Sequence, residues 1–208
     1  MHSLLNYMIE ISKINTYNQK TIDEIVRIHL ATFKGFFLTF LGAGFLRQMY
    51  RSYSEFTDSG ILIAQEGENI VGFLAYTGDL CGLYKYMIKK RLFCFAWYSI
   101  GALIRKPKVF MRLVRAFLKP SESRRTDKYV ELASIGVDPI MKSKGIGSQL
   151  IDYLKSIIDF NLYKYIKLET DAVANEVANH FYKKNGFELF YTYTTHEGRL
   201  MNEYRYFS

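Results

Sequence analysis

The sequence predicts an α/β protein built on a mixed sheet, and two observations support this class. Predicted strands and helices follow one another in the order β-α-α-β-β-insert-β-α-β-α-β-β along the 208 residues. Alternation of this kind is typical of α/β proteins. Hydrophobic residues make up 49% of the chain, which is enough for a sizeable core, and the length fits one domain over residues 1–208.

The first half of the chain supplies three strands and two helices. Residues 8–14 alternate apolar and polar positions, as a half-buried strand does. Helical periodicity covers residues 18–33 and about 40–53, where apolar side chains recur at intervals of three and four. Two further strands at 61–65 and 70–76 flank the turn Glu-Gly-Glu-Asn, which predicts a hairpin.

The second half continues the alternation and ends in a hairpin. Its predicted elements are strand 129–137, helix 145–160, strand 165–170, helix 175–185 and strands 187–194 and 200–207. About fifty residues separate the predicted strand at 70–76 from the one at 129–137. They form an insert that has helical periodicity of its own.

Positive charge is concentrated in that insert. The formal net charge is +8, yet ten basic residues and no acidic residue lie between positions 80 and 121. The remaining 18 basic and 20 acidic residues leave the rest of the chain at −2. A nearly neutral body with one basic segment argues against attraction of the whole molecule to nucleic acid, so we expect no nucleic-acid partner.

Cysteine use and the N-terminus bear on the compartment. Cys81 and Cys94 are too few for a disulfide framework and form no ligand pattern with the histidines, so we expect no metal. The first ten residues carry no signal-peptide pattern. The most apolar run, 92–104, has thirteen residues, whereas a membrane-spanning helix needs about 20. We therefore expect a cytoplasmic protein.

A glycine loop follows the strand at 129–137. Asp138 and Pro139 end the strand, because proline has no amide hydrogen to give to a ladder. Residues 142–147, KSKGIG, then lead directly into the next helix. Glycines let amide groups approach an anion closely, the helix start adds unpaired N–H groups, and the lysines add charge. The segment predicts a diphosphate cradle, although a tight turn explains it equally well when it is taken alone.

A second motif, residues 175–187, has the form N-x-x-A-x-x-F-Y-x-K-x-G-F. It predicts a helix that ends at a left-handed Gly186, with Phe187 opening a strand. Together the two segments resemble the Gcn5-related N-acetyltransferase (GNAT) superfamily. The loop is similar to the family's [QR]-x-x-G-x-[GA] motif for the acetyl-CoA pyrophosphate, with Lys142 in place of glutamine or arginine. The similarity covers about residues 129–191.

The resemblance implies the GNAT acyl-CoA N-acyltransferase fold with a helical insertion between the third and fourth strands, and acetyl-CoA as co-substrate. It implies that one strand splays from its neighbour and pairs with the pantetheine arm, and that the loop wraps the pyrophosphate. The implied cofactor contacts are Ile135, Gly136, Val137, Lys142, Ser143, Lys144, Gly145, Ile146, Gly147, Ser148, Asn175 and Tyr182. The Tyr182 hydroxyl is implied to protonate the leaving thiolate, and the alternative for this residue is a core aromatic on a helix face.

Glu131 is the candidate general base. Acetyl transfer needs a neutral amine, so a group that removes its proton helps. Glu131 precedes Lys142 by eleven residues, an offset that resembles that of the base glutamate in histone-type family members. Strand alternation places it on one face with Ala133, Ile135 and Val137, and a carboxyl among apolar neighbours has a raised pKa. A solvated strand-edge carboxylate is an equal alternative, and some family members use no direct protein base.

The basic helical insert, residues 80–121, has several interpretations. An extra helical hairpin with a solvated basic face is the simplest. The functional alternatives are a lid over the acceptor site or the CoA 3′-phosphate, a docking surface for an acidic carrier protein, and an interfacial membrane anchor. The last rests on Phe93, Phe95, Trp97 and Tyr98, which lie between basic clusters.

These observations predict transfer of the acetyl group of acetyl-CoA to a small-molecule or peptide amine by direct attack in a ternary complex. The rival hypothesis is a non-catalytic or long-chain acyl module that docks to a membrane or an acidic carrier protein through the insert. The sequence leaves a homodimer open.

Overall fold

The computed structural model describes residues 8–35, 37–105, 127–195 and 198–208. Its sheet has seven strands in the order β1-β2-β3-β4-β5-β7-β6, and only the β4–β5 pair is parallel. The strands are β1 Ile9–Lys13, β2 Ser59–Glu66, β3 Asn69–Thr77, β4 Val130–Val137, β5 Ile166–Asp171, β6 Glu188–Thr194 and β7 Leu200–Tyr206. The predicted mixed α/β class is confirmed.

Six α-helices accompany this sheet in the described part of the chain. They are α1 Gln19–Thr32, α2 Phe37–Leu41, α3 Ala43–Glu55, α4 Leu80–Arg105, α5 Ile146–Ile157 and α6 Glu176–Lys184. Buried side chains of α1, α3 and α4 pack on one face of β2 and β3, through Ile61, Phe73 and Ala75. Those of α5 pack on the other face, against Leu62 and Leu74. The alternation of strand residues between two cores fits a sheet covered on both faces.

The region predicted as one helix at about 40–53 contains two. Helix α2 ends at Leu41 and α3 begins at Ala43, with Gly42 between them at φ +88°. A right-handed helix cannot pass through a residue with positive φ, so the apolar periodicity continues across a break in the backbone.

The insertion begins with one long helix. Helix α4 occupies the predicted place between the third and fourth strands and packs along α3. Residues 106–121, the second part of the predicted insert, lie outside the described residues. No helix in the ranges that the structure describes is both long and apolar enough to cross a membrane.

Two irregularities in β4 shape the centre of the sheet. Strand β4 pairs with β5 only at Val130 and Glu131, although it runs on to Val137 beside β3. In the pairing with β3, Tyr76 lies opposite Leu132 while Ala75 lies opposite Ser134, so Ala133 is an extra residue, a β-bulge. The early end of pairing opens a gap between β4 and β5, which we call the β4–β5 gap.

Candidate active site

Along the β4–β5 gap, the backbone of β4 has groups that are not paired with another described strand. The Asp138 N–H donates to Val71 O at 2.8 Å, which makes this an internally bonded antiparallel pair. Because bonded and non-bonded pairs alternate along an antiparallel ladder, the backbone groups of Ile135 and Val137 point away from β3. They therefore face the gap, where no strand of the described chain pairs with them. The splayed strand that the resemblance implied is present.

An ion pair between Asp138 and Arg27 holds the loop after β4. The Asp138 side chain accepts a bond from Ile140 N at 3.0 Å and pairs with Arg27 Nη1 of α1 at 2.7 Å. The Arg27 guanidinium, and then the Ile140 amide, lower the pKa of Asp138. A single turn of 3₁₀-helix, Pro139–Met141, follows. These contacts fix the direction in which the glycine loop leaves the strand.

The glycine loop is exposed and runs directly into the N-terminus of α5. Ser143 has φ +67°, and Gly145 has φ +75° and stands at the N-cap of the helix. Within the described ranges no side chain caps α5, so the first N–H groups of this helix are available to a ligand. The Lys142 and Lys144 side chains are exposed beside them, and Lys144 Nζ is 3.9 Å from Glu66 Oε1. The arrangement can bind an anion through amides, helix dipole and charge together.

Gly147 permits the close packing of α5 against α6. A Cβ atom on Gly147 would lie 3.0 Å from the Phe181 ring of α6. The next residue, Tyr182, packs its ring against Phe187 and Tyr204, with centroids 6.1 Å apart in both cases. Its hydroxyl makes no hydrogen bond within the described residues. Burial raises the pKa of Tyr182 to about 12, so the hydroxyl keeps its proton at neutral pH.

Two asparagines anchor the start of α6 to the sheet. Asn175 Nδ2 donates to Thr170 Oγ1 at 2.6 Å, at the end of β5. Asn179 donates to Asp171 O at 2.9 Å and accepts from Asn202 Nδ2 and from the Tyr204 hydroxyl. Sequence analysis singled out Asn175 and missed Asn179, although its place on the inner side of the same helix was a usable signal. Asn179 holds the helix that carries Tyr182.

The bulge changes the face on which Glu131 lies. The prediction that Glu131 shares a face with Ile135 and Val137 is wrong. Glu131 lies opposite Thr77, and Ser134 lies opposite Ala75, on the face that α3 covers. Ile135 and Val137 contact the core under α5. The extra residue Ala133 shifts the alternation by one, which a simple period of two cannot anticipate.

Glu131 is buried in a cluster of charged side chains. It is 8% exposed, and Lys167 Nζ lies 3.1 Å from its Oε2 atom. Lys167 is itself 4% exposed and also pairs with Glu169 at 2.8 Å, while the Tyr193 hydroxyl donates to Glu169 at 2.6 Å. We call Glu131, Lys167, Glu169 and Tyr193 the acidic cluster. The alternative of a solvated carboxylate does not fit this burial.

The acidic cluster carries shifted pKa values. Burial raises the pKa of Glu131 to about 7, an effect that Lys167 opposes and that Glu169 and Glu203 add to. Burial acts to lower the pKa of Lys167, but Glu131 and Glu169 together raise it above its usual value. Tyr84 of α4, whose pKa burial raises to about 12, lies within electrostatic reach of Glu131. The predicted rise in the pKa of Glu131 is confirmed in direction, with burial as its main cause.

A hydrogen-bonded polar row, made of His29, Tyr50 and Ser134, lies on the same face of the sheet as Glu131. Sequence analysis did not find it. His29 Nδ1 of α1 is 2.7 Å from the Tyr50 hydroxyl, which donates to Ser134 Oγ at 3.2 Å. His29 is 3% exposed, and its Nε2 atom has no hydrogen-bond partner in the part of the chain that the structure describes. Burial lowers the pKa of His29 to about 4, so the ring is neutral at pH 7. Only the fold brings these three distant residues together.

The candidate residues lie on two different faces of the sheet. Tyr182 and the glycine loop belong to the side of α5 and α6, which we call the cofactor side. Glu131 belongs to the opposite face of the sheet, under α3 and α4, which we call the acceptor side. The residues predicted as acid and as base therefore lie on opposite faces of the sheet. Among the described residues, no group of three or more His, Cys, Asp or Glu side chains is placed to hold a metal ion.

Comparison with known proteins gives one family. The model of the Acetyltransferase (GNAT) family matches residues 23–187, which is most of the chain. A search of curated proteins gives no significant match.

Solved structures of GNAT proteins share the fold at low sequence identity. A GNAT-family protein from Desulfovibrio desulfuricans has a TM-score of 0.63 and 13% identity, covering 96% of this chain and 99% of its own. The ribosomal-protein-S18-alanine N-acetyltransferase from Escherichia coli has a TM-score of 0.57 and 14% identity, covering 96% and 93%. A structure from Bacillus anthracis in complex with acetyl coenzyme A has a TM-score of 0.50 and 17% identity, covering 76% and 68%.

Proposed function

Because this chain belongs to the GNAT acetyltransferase family, we propose that it transfers the acetyl group of acetyl-CoA to an amine by direct attack. The observation that carries the proposal is the β4–β5 gap, which runs from an open helix N-terminus to a buried carboxyl. In this proposal both substrates are bound together in a ternary complex, with acetyl-CoA on the cofactor side of the gap and the amine on the acceptor side.

The cofactor side fits the parts of acetyl-CoA in order along the gap. The open amides of α5 and the charges of Lys142 and Lys144 suit the pyrophosphate, because a helix N-terminus favours anions. The gap-facing backbone of Ile135 and Val137 suits the amide groups of the pantetheine arm. Asn175, anchored beside this path, is the proposed side-chain contact to the same arm.

Tyr182 is the proposed general acid. Departure of the CoA thiolate leaves a negative charge on sulfur, and a positioned O–H group can neutralise it by proton transfer. The raised pKa of Tyr182 keeps that proton available at neutral pH, and its hydroxyl has no partner among the described residues that would hold it elsewhere. The Val137 carbonyl accepts a bond from Thr32, so its N–H group is the one left for the thioester oxygen.

Glu131 is the proposed general base for the acceptor. An amine is mostly protonated at neutral pH and attacks only after it has lost a proton. A carboxyl with a pKa near 7 is a stronger base than an ordinary glutamate and is still half ionised at that pH. Lys167 is a positioning residue, because it fixes Glu131 by an ion pair and favours its ionised form.

The acceptor is proposed as a small-molecule or peptide amine. The cytoplasmic location and the homodimer stay predictions. The Escherichia coli relative is named for the alanine of a ribosomal protein, which is a property of that enzyme alone.

The test is release of free CoA thiol from acetyl-CoA in the presence of a panel of primary amines, with the acetylated product verified by mass spectrometry. We expect Tyr182→Phe to lower kcat by about tenfold to a hundredfold while acetyl-CoA still binds, since it removes only the proton donor. Tyr153→Phe on α5 is the matched control and keeps the wild-type rate. Wild-type turnover by Tyr182→Phe at every pH would contradict the assignment of the acid.

A further inference from the structure

One side of helix α4 packs against the body of the protein. Phe95 packs on Phe45 of α3 with ring centroids 4.7 Å apart. Tyr98 lies so close to α3 that a Cβ atom on Gly44 would be 2.2 Å from its ring. Arg91 of α4 is 8% exposed, and its guanidinium donates hydrogen bonds to Gln48 and Glu55 of α3. Two of the four aromatic residues that suggested a membrane anchor, Phe95 and Tyr98, therefore contact α3, although Tyr98 remains 43% exposed.

The opposite side of α4 is apolar and exposed. Phe93, Trp97, Ile100 and Ile104 are 89%, 72%, 45% and 77% exposed, and we call them the outer stripe. They recur at intervals of four, three and four, which places them on one line along the helix. Phe95, which packs on α3, lies about half a turn away from Phe93 and Trp97 around the helix. A helix that is apolar on two opposite sides leaves one of them in need of a partner.

Positive charge lies at the N-terminal end of the outer stripe. Lys89 and Lys90 are exposed one turn before Phe93, on the same side of the helix, and Lys85 is exposed one turn earlier. The sequence from Leu80 to Ser121 holds ten basic residues and no acidic residue. Two copies of this face would repel each other, so the charge argues against a second copy as the partner. It favours an anionic surface.

We propose that the outer stripe of α4 docks onto an anionic lipid membrane, with the helix lying in the plane of the interface. The convex helix face presents aromatic and aliphatic side chains outward, and the lysines beside them reach the headgroup level. Tryptophan is well suited to that depth because its ring is apolar and its N–H group is polar. This binding does not depend on acetyl transfer, and it fails or holds independently of the proposed reaction.

Trp97 is the only tryptophan of the chain and reports directly on the outer stripe. The experiment measures its fluorescence in the full-length protein as vesicles of phosphatidylcholine, with or without phosphatidylserine, are added. We expect emission typical of exposed tryptophan without vesicles, and a blue shift with quenching by brominated lipid only when phosphatidylserine is present. High salt should weaken the binding, because the charge attraction is screened.

Paired variants separate the apolar from the charged contribution. The double variant Phe93→Ser with Ile104→Ser should weaken vesicle binding by about tenfold or more, since it removes two inserted side chains. Lys89→Glu with Lys90→Glu should weaken it similarly and reduce its salt dependence. The matched controls are Met8→Ser, an exposed apolar residue elsewhere, and Lys183→Glu with Lys184→Glu on α6, which change the net charge equally. Both controls should bind vesicles as the wild type does.

Several outcomes would overturn the proposal. Emission that is already blue-shifted in dilute protein without lipid would show that the chain itself covers the outer stripe. A blue shift that depends on protein concentration would favour a second copy. The anionic membrane would be rejected if the protein bound equally to vesicles with and without phosphatidylserine, or if the control variants lost as much vesicle binding as the test variants. It would also be rejected if the protein bound no vesicles but bound an acidic protein saturably.

Discussion

The two sides of the β4–β5 gap are built in different ways. On the cofactor side, the glycine loop and the helix that follows it are continuous in sequence, and residues 142–148 are already neighbours along the chain. On the acceptor side, Glu131, Lys167 and Tyr193 come from three different strands. The polar row on the same face adds His29 from α1. A continuous segment can be identified from its letters, whereas a cluster across strands exists only once the sheet has formed.

The difference also concerns solvent. The loop side chains Lys142 and Lys144 are exposed, so their charges are screened and contribute moderately. Glu131 and His29 are buried, so small changes around them alter pKa values strongly. Substitutions on the acceptor side should therefore change the chemistry and its pH dependence, and those on the cofactor side should mainly change binding.

The largest effect is expected for Glu131→Gln. The amide has nearly the same shape but cannot accept the amine proton, so kcat/KM should fall on the order of a hundredfold or more near neutral pH. The measurement is the pH–rate profile with the wild-type acceptor, in which the lower limb should disappear. Glu176→Gln, an exposed carboxyl on α6, is the control. An unchanged profile in Glu131→Gln would leave acetyl transfer without this base.

Acid should destabilise the protein through His29. Its pKa is about 4 in the folded state and about 6.5 in an unfolded chain, so the unfolded state binds the extra proton first as pH falls. The contribution is fully present above pH 6.5 and about 3 kcal/mol of it is lost on the way down to pH 4.

Chemical denaturation across that pH range measures the free energy of unfolding. His29→Gln should flatten its pH dependence, whatever the variant's absolute stability. His180→Gln, exposed on α6, serves as the control and should retain the wild-type dependence. Parallel curves for wild type and His29→Gln would refute the link.

On the cofactor side, Lys142→Ala should raise the KM for acetyl-CoA by about tenfold and leave kcat nearly unchanged. It removes one exposed charge from the proposed pyrophosphate site, while the amides of α5 stay in place. Lys164→Ala, which removes the exposed partner of Asp127, is the charge-matched control. A fall in kcat with an unaltered KM would show that Lys142 does not contribute to the binding of acetyl-CoA.

The smallest effect on the rate at optimum pH is expected for Lys167→Met. Without this cation the pKa of Glu131 rises further, so the limb of the pH–rate profile that reports its ionisation should move up by about one unit. The groups that face Glu131 and remain are Glu169, Glu203, Tyr53 and Tyr84, none of which replaces a positive charge at neutral pH.

Thermal unfolding separates this effect from loss of structure. Lys164→Met is the matched control for Lys167→Met, because it removes an exposed lysine of the same length. A limb that stays at its wild-type pH in a folded Lys167→Met variant would show that Lys167 does not tune Glu131.

Much of the fold could be predicted because the governing interactions are local. Helix α6 begins and ends where the motif at 175–187 places it, since the positive φ of Gly186 stops a helix regardless of its surroundings. The helix after the glycine loop was predicted from its apolar periodicity, which is also a local signal. By contrast, Gly42 interrupts an apolar pattern that continues without a break, and periodicity is blind to a single backbone angle.

The acceptor side escaped prediction because it depends on strand pairing. Glu131 was identified as the base candidate, but its face was assigned wrongly, since the bulge at Ala133 exists only in the register between β3 and β4. Its partner Lys167 is 36 residues away in sequence and pairs with it through the two-residue contact of β4 with β5. No spacing rule on one strand contains that information.

The sequence by itself determined the family resemblance, the alternation of strands and helices and the anion-binding character of residues 142–148, because glycine geometry and helix starts are properties of short segments. Only the tertiary structure decided which face Glu131 occupies, that a lysine accompanies it in the interior, and which side of α4 stays exposed. These depend on desolvation and on contacts between distant segments, and both arise only when the sheet and its helices come together.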